Sequence, residues 1–345
     1  MRLRIPPPVS GGLMLSYTCN ATCGHCMYAC SPQWPADWIS DEDLEATLSA
    51  LTGKIQPGPW GPESMGLNHG LHFSGGEPFL NFPLLCKAAG RAHELGIPSL
   101  FVETNCIWAR DDDETREKLV TLKELGIIGI MISINPFYLE HVPFERSERA
   151  IRISREVFGA NTAVYQLEYY RLFKEMGIRG RLSFAEFLEL TGKRNFARST
   201  EFFLSGRAPY RVEHTGLFPG RPAAAYLGEP CRPAFIRSWH NHFDNYNNFL
   251  PGYCGGLSLG DCRDLDRIIA EGVDLEARPV LAAVAAGDFA GLLALARERG
   301  YEERERGYLS KCHLCVDIRR HLINCGEFPE LAPAEFYRRL EDGAA

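Results

Sequence analysis

The chain has 345 residues, 45% of them hydrophobic and 23% charged, enough apolar material for one large or two modest packed domains. Its formal net charge of −7 gives no basic surface for a phosphate backbone, so a nucleic-acid partner is disfavoured. Residues 1–6 carry no apolar signal region. The longest apolar stretch, 280–296, is broken by Gly287-Asp288 into two short helical segments, and it is shorter than the ~20 residues that span a bilayer. We therefore expect a cytoplasmic protein without a membrane partner.

Apolar runs alternate with helical patterns over the first 212 residues. A Gly- and Pro-rich loop, residues 54–70, separates the first helix from the second strand. Alternating strands and helices predict a parallel sheet with helices outside it, and the polar residues that follow such strands meet at one mouth. Strands are predicted at residues 13–15, 71–74, 99–103, 127–134, 162–166 and 201–205, and helices at 40–53, 82–95, 112–126 and 147–158.

Three cysteines, Cys19, Cys23 and Cys26, follow the first strand at Cys-x3-Cys-x2-Cys spacing. A [4Fe–4S] cluster takes four ligands, so three thiolates leave one iron open to bind a cofactor or substrate. Half of a zinc site or a ferredoxin loop has similar spacing. A second motif, Gly75-Gly76-Glu77-Pro78, favours the open cluster. Its glycines allow a ligand close to the backbone, and its carboxylate can accept a hydrogen bond from an ammonium group.

Together these two motifs closely resemble those of the radical S-adenosylmethionine (SAM) superfamily. The resemblance implies a partial (β/α)6 barrel, an open iron that chelates SAM, and reductive cleavage of SAM to a 5′-deoxyadenosyl radical. It also implies that the Gly-Gly-Glu-Pro turn holds the methionyl amino group and that strand ends contact the ribose and carboxylate. The cofactor-binding residues carried over are Gly75, Gly76, Glu77, Thr104, Asn105, Ser133, Asn135 and His25, with Cys106 and Asn135 standing where the family commonly has Gly and Asp. The alternative is that the residues at strand ends only cap those strands.

The alternating pattern stops near residue 213, where a second set of cysteines begins. We predict a barrel domain at 1–212 and a smaller, cysteine-rich α+β domain at 213–345, with a hairpin near 242–246. The cysteine arrangement resembles the SPASM and twitch extensions of radical SAM enzymes. That resemblance implies an auxiliary [4Fe–4S] cluster fully ligated by Cys231, Cys254, Cys312 and Cys315. A structural zinc site on the same four thiolates is the alternative, and Cys262 and Cys325 are possible substitute ligands.

Other cysteines and histidines are interpreted individually. Cys30, after the cluster loop, and Cys106, at a strand end, are candidates to return a hydrogen atom to a substrate radical, whereas Cys86 fits a packing role in an apolar helix. Arg207 is a candidate to hold a substrate carboxylate, with a surface ion pair as the alternative. His240, His242, His313 and His321 are interpreted as ordinary polar or packing residues.

These features predict an enzyme that abstracts a substrate hydrogen atom and completes an oxidation beside the auxiliary cluster. The expected partners are SAM, a flavodoxin- or ferredoxin-type electron donor, and a peptide or small polar metabolite as substrate. Only about a dozen residues precede the first strand, which favours a small molecule or an externally delivered peptide. A redox-neutral epimerase remains an alternative. So does a non-catalytic iron–sulfur carrier, although a carrier has no need of a SAM-binding turn.

Overall fold

The structure, a computed structural model, describes residues 1–193, 196, 202–229, 231, 235–326 and 328–343. The strands are β1 (Arg2–Leu3), β2 (Ser10–Met14), β3 (Gly70–Ser74), β4 (Phe101–Thr104), β5 (Gly129–Ser133), β6 (Thr162–Tyr165), β7 (Asn241–Phe243), β8 (Phe249–Leu250) and β9 (Val273–Asp274). The α-helices are Asp41–Leu51, Phe82–Glu94, Asp112–Glu124, Pro136–Leu139, Phe144–Phe158, Leu167–Glu175, Phe184–Thr191, Ala208–Val212, Leu265–Glu271, Pro279–Ala286, Phe289–Arg297, Lys311–Leu322 and Ala334–Arg338.

One sheet organises the molecule, with strand order β6-β5-β4-β3-β2-β7-β8. Neighbouring strands are parallel from β6 to β7, and only the β7–β8 pair is antiparallel. Every residue of β2, β3 and β5 is buried, as expected for a parallel sheet covered on both faces. The predicted α/β class, a mostly parallel sheet with helices outside it, is confirmed.

The sixth parallel strand lies elsewhere than predicted. Residues 202–205 form no strand, and Glu201 lies outside the described residues. Instead, β7 pairs with the free edge of β2 and then turns into β8, which forms the hairpin expected near 242–246. The prediction of a strand at 201–205 was wrong because its apolar run packs against other aromatic rings: Phe202 stacks on Phe137 and on Phe218.

The two predicted domains share this sheet. Both β7 and β8 belong to the segment 213–345, yet they extend β2 of the first segment, and β1 pairs with β9. The proposed boundary therefore divides the chain but not the sheet. The apolar stretch at 280–296 forms two helices separated at Gly287, as predicted. Within the described ranges, every helix is too short or too polar to cross a membrane.

Candidate functional site

The cysteine loop follows β2 and is joined to the Gly-Gly-Glu-Pro turn by backbone hydrogen bonds. Gly76 N donates to Ser16 O at 2.8 Å, and Glu77 N donates to Thr18 O at 3.2 Å. A Cβ placed on Gly76 would lie 1.8 Å from Thr18 O, so only glycine allows this contact. The missing side chain of Gly76 therefore lets the turn approach the backbone of the cysteine loop. The sequence instead predicted a bound ligand at this close approach.

Arg207 holds the same loop from the other side. Its side chain is only 1% exposed. The guanidinium donates to the carbonyl oxygens of Cys23 at 3.0 Å, Ala29 at 2.8 Å, Cys30 at 3.1 Å and Arg339 at 3.1 Å. The planar fork of five N–H donors suits such a set of acceptors. The prediction that Arg207 binds a substrate carboxylate is corrected, because its donors are used on backbone oxygens inside the protein.

Two of the three thiols of the loop have N–H donors beside them. Cys30 N donates to Cys26 Sγ at 3.3 Å, and Asn105 Nδ2 donates to Cys19 Sγ at 3.7 Å. Hydrogen bonding from Cys30 lowers the pKa of the Cys26 thiol to about 6, whereas burial raises the pKa of Cys19 and of Cys23. Donors aimed at sulfur favour the thiolate, the form that binds iron. These residues fit a cluster with three protein ligands.

Glu77 points into the protein. Its carboxylate is 1% exposed and accepts hydrogen bonds from Phe79 N at 3.2 Å, Thr104 Oγ1 at 2.9 Å and Asn105 N at 2.8 Å. Burial raises the pKa of this carboxyl to about 7. The three donors take three of the roughly four acceptor positions of the carboxylate, so the expected contact with an ammonium group stays a prediction. The position of Glu77 shows a further role, which is to tie the turn to the end of β4.

A cavity opens at the carboxyl edge of the sheet, beside the cysteine loop. Five of the predicted cofactor or cluster residues line it: His25, Cys26, Gly75, Ser133 and Asn135. Glu103, which ends the strand predicted at 99–103, also lines it. Further side chains, which sequence reasoning did not place there, include Ser74, Tyr138, Gln166, His240, His242 and Tyr253.

Asn135 caps a helix and also holds a histidine in place. Its Oδ1 accepts from Phe137 N and Tyr138 N, which caps the helix at Pro136–Leu139. Its Nδ2 donates to His25 Nε2 at 3.1 Å and to Gln166 Oε1 at 3.0 Å. Burial lowers the pKa of His25 to about 3, so this imidazole is neutral at physiological pH. Asn135 therefore fixes a neutral histidine at the cavity wall.

Cys30 and Cys106 do not reach the cavity. Cys30 is 3% exposed, and its Sγ donates to Gly75 O at 3.5 Å. Cys106 is fully buried in a left-handed backbone conformation with φ of 68°. Neither lines the cavity, so the prediction of a thiol hydrogen donor at the barrel mouth is corrected.

The second group of cysteines meets at another cavity. The four predicted ligands, Cys231, Cys254, Cys312 and Cys315, all line it. Cys312 and Cys315 lie three residues apart in the first turn of the helix at Lys311–Leu322, where the helix dipole favours a thiolate. The two possible substitutes lie elsewhere: Cys262 is buried beside Thr47, and Cys325 is exposed after the same helix ends.

A buried arginine also lies beside this second group. Arg319 is 2% exposed, lines the cavity and donates to Gly255 O at 2.9 Å and Tyr337 Oη at 3.0 Å. Sequence reasoning missed it. The available signal was its spacing, because Arg319 lies four residues after Cys315 and hence on the same face of the helix.

Comparison with known proteins finds matches among solved structures alone, since no protein-family model and no curated protein matches the chain. A crystal structure of BtrN in complex with AdoMet and 2-DOIA matches 77% of this chain and 82% of its own at 15% identity, with a TM-score of 0.42. Native anSMEcpe with bound AdoMet matches 92% and 98% at 14% identity and a TM-score of 0.43. A third structure, anSMEcpe with AdoMet and Kp18Cys peptide, matches the same shares at 14% identity and a TM-score of 0.44.

The resemblance of the chain to the radical SAM superfamily is carried by its two motifs. The motifs supply the cysteine loop and the glycine turn, and the parallel sheet brings them to one edge. A third group of side chains lies beside the same cavity.

This third group consists of histidines. The rings of His72, His240 and His242 are buried, and one nitrogen from each lies within 4.8 Å of the other two. Burial lowers the pKa of all three. In the part of the chain that the structure describes, no other three histidine, cysteine or carboxylate side chains approach one another this closely. Within the described residues, no three sulfur atoms of either cysteine group lie all within 4.8 Å of one another.

Proposed function

We propose that the protein is a radical SAM enzyme. In this proposal Cys19, Cys23 and Cys26 bind a [4Fe–4S] cluster with one open iron, and SAM occupies the adjoining cavity. The cluster and SAM, when bound, supply a 5′-deoxyadenosyl radical that removes a hydrogen atom from the substrate. The single observation that carries the proposal is the meeting of the cysteine loop, the Gly-Gly-Glu-Pro turn and the strand ends around one cavity.

The chain's own residues have distinct tasks in this arrangement. Arg207 holds the cysteine loop in shape through backbone carbonyls, and its charge lies beside anionic thiolates. Glu77 fixes the turn, so that the backbone of Ser74 and Gly75 faces the cavity. Ser133 and Asn135 supply polar groups on the opposite wall. Polar groups held by a rigid sheet can orient a bound ligand with little loss of side-chain entropy.

We further propose that Cys231, Cys254, Cys312 and Cys315 bind an auxiliary [4Fe–4S] cluster. The four cysteines come from separate segments of the chain and line one cavity, so each thiolate can bind a different iron of a cluster. The buried Arg319 offsets part of the negative charge that four thiolates bring.

An oxidation fits this geometry better than an epimerisation. Oxidation requires the substrate, after loss of a hydrogen atom, to lose one more electron and a proton. Tyr253 lines both cavities and directly precedes Cys254, so the four thiols lie near enough to take that electron. An epimerisation by a thiol donor needs an accessible cysteine, and Cys30 and Cys106 are both buried away from the cavity. We propose a peptide or a small polar metabolite as substrate and a flavodoxin- or ferredoxin-type donor.

The test is anaerobic reconstitution followed by iron, sulfide and zinc analysis and an assay of SAM cleavage under dithionite. The expected result is about eight irons per chain, from two [4Fe–4S] clusters, together with 5′-deoxyadenosine. Cys86→Ala is the matched control, because Cys86 is a half-buried thiol on the helix at Phe82–Glu94 that lines neither cavity. About four irons with about one zinc would establish the zinc alternative for the second group. Assembly of both clusters without any SAM cleavage would instead support the alternative of a non-catalytic iron–sulfur carrier.

A further inference from the structure

The histidine group lies on the interior face of the sheet. His72 is on β3, His242 is on β7, and His240 precedes β7 by one residue. Their ring centroids lie 5.1 to 5.6 Å apart. With one nitrogen of each ring within 4.8 Å of the others, small side-chain rotations bring all three into contact with a single ion.

Strand register explains why the rings meet. Gly12 on β2 is the register partner of His72 on one side and of His242 on the other, so both histidines project from the same face. A Cβ on Gly12 would lie 2.3 Å from His72 Nε2 and 2.8 Å from His242 Cδ2. The absence of a side chain at Gly12 therefore keeps open the space into which both imidazoles project.

Hydrogen bonds from outside the group set which nitrogen is free. His240 Nδ1 lies 3.0 Å from Leu67 O, and a carbonyl only accepts, so Nδ1 carries the hydrogen. His242 Nδ1 lies 2.8 Å from Tyr28 Oη, whose own hydrogen is donated to Gly252 O at 3.0 Å. His242 Nδ1 therefore also carries a hydrogen. Both rings therefore keep an unshared electron pair on Nε2. Metal-binding histidines are held in the same way, by an acceptor that takes the hydrogen of the other ring nitrogen and so fixes the tautomer.

The third histidine lacks a partner. His72 Nε2 is buried and makes no hydrogen bond within the described structure, although Glu103 Oε1 lies 3.4 Å away. The Glu103 side chain is 24% exposed and lines the cavity together with His240 and His242. Buried polar atoms are nearly always satisfied, so an orphaned imidazole nitrogen beside a carboxylate marks a place for a bound group.

We propose that His72, His240 and His242, with Glu103 as a fourth ligand, bind one divalent first-row transition-metal ion. Imidazole nitrogens with a carboxylate suit zinc, iron and nickel, and a set of few protein ligands leaves coordination positions open. Those positions face the cavity that Cys26 and Gly75 also line. The ion would hold an oxygen or nitrogen donor of the substrate within reach of the SAM site. In this proposal His240 and His242 are metal ligands, whereas the sequence alone indicated packing residues.

The site can be tested with Zn²⁺ alone. Protein with both clusters assembled is treated with a chelator, equilibrated with Zn²⁺, desalted and analysed for zinc. The wild type is expected to keep about one zinc per chain, and X-ray absorption at the zinc edge is expected to show nitrogen and oxygen ligands at about 2.0–2.1 Å. Sulfur ligands at about 2.3 Å would place the zinc at the cysteines and overturn the proposal. So would an absence of retained zinc.

Two variants distinguish a metal site from a group of buried histidines that binds no metal. His72→Gln with His242→Gln is expected to lose the zinc while keeping the iron, and His321→Gln, a half-buried histidine bonded to Arg299 O, is the matched control. Tyr28→Phe retains every ligand but removes one of the two hydrogen-bond partners of His242 Nδ1, leaving Gly252 O at 3.2 Å. Because that carbonyl remains, the variant is expected to weaken zinc affinity by about 10-fold, the lower end of the range for loss of an outer hydrogen-bond partner. Unchanged zinc affinity in Tyr28→Phe would contradict the proposal even where the double variant fails to fold.

Discussion

The two cysteine groups of this protein are built in different ways. Cys19, Cys23 and Cys26 lie within eight residues on one loop, whereas Cys231, Cys254 and the Cys312–Cys315 pair come from distant parts of the chain. The loop is held by bonds to the glycine turn and to Arg207, which both lie far from it along the chain. The second group depends on how a helix and two loop segments pack. The comparison shows that local spacing is enough to define the first group, whereas the second requires the whole fold.

Both groups nevertheless share one feature, a buried arginine. Arg207 and Arg319 are 1% and 2% exposed, and each donates to at least one backbone carbonyl beside its cysteines. Arg319 Nε has no hydrogen-bond partner within the described structure. A buried guanidinium is stabilised where negative charge lies near. The pattern indicates that both groups carry anionic thiolates when loaded. It also offers ways to perturb each group separately.

The largest expected difference between the groups is in SAM cleavage. Cys23→Ala removes a proposed ligand of the open cluster, and we expect 5′-deoxyadenosine production under dithionite to fall to background. Cys312→Ala with Cys315→Ala is expected to preserve SAM cleavage, lower the iron content from about eight to about four per chain, and impair product formation. Cys325→Ala, an exposed thiol after the same helix, is the control. Normal SAM cleavage by Cys23→Ala would end the radical SAM proposal.

Arg207→Met should have the next largest effect. It leaves the buried carbonyls of Cys23, Ala29 and Cys30 without their donor, and each unsatisfied group costs about 1–3 kcal/mol. We expect a loss of roughly 4 kcal/mol in the free energy of unfolding, measured by denaturant titration, and iron loss from the first group alone. Arg319→Met should release iron from the second group instead. Retention of all iron by both variants would refute the shared role of the two arginines.

Glu77→Ala is expected to weaken SAM binding without loss of iron. Its carboxylate contacts neither the thiols nor the cavity, but it satisfies the N–H groups of Phe79 and Asn105 and so holds the turn. One to two unsatisfied donors predict a rise of about 10- to 100-fold in the Kd for SAM, measured by equilibrium dialysis on reconstituted protein. Glu77→Gln keeps an acceptor oxygen, so its Kd for SAM should lie between those of the wild type and Glu77→Ala. An unchanged Kd in Glu77→Ala would show that the turn does not position SAM.

The smallest expected effect concerns Asn105. Asn105→Ala removes the N–H donor at Cys19 Sγ, and hydrogen bonds to sulfur raise the reduction potential of an iron–sulfur cluster. We expect a lower midpoint potential for the first cluster and an unchanged one for the second, in an EPR-monitored titration. A shift of the second potential would mean that the two sites are coupled more closely than their separate cavities suggest.

Several features of the site were beyond sequence reasoning for identifiable reasons. Arg207 was assigned to the substrate because its position at a predicted strand end suggested an exposed side chain, and burial cannot be read from one arginine. Glu77 was assigned to a ligand because its three donors come from β4 and from its own turn. The parallel strand β7 is only three residues long and lies 230 positions after the residues of β2 with which it pairs, so no local sequence pattern predicted the pairing.

The sequence by itself determined the α/β alternation, the loop of three cysteines, the glycine turn and the four cysteines of the second group. Those features depend on spacing within a few residues or on residue type, and both can be read directly from the sequence. Only the tertiary structure decided that Arg207 faces the backbone, that Cys30 and Cys106 are buried, and that His72 meets His242 across Gly12. Each of those outcomes depends on register and burial, which are set by contacts between segments far apart in the chain.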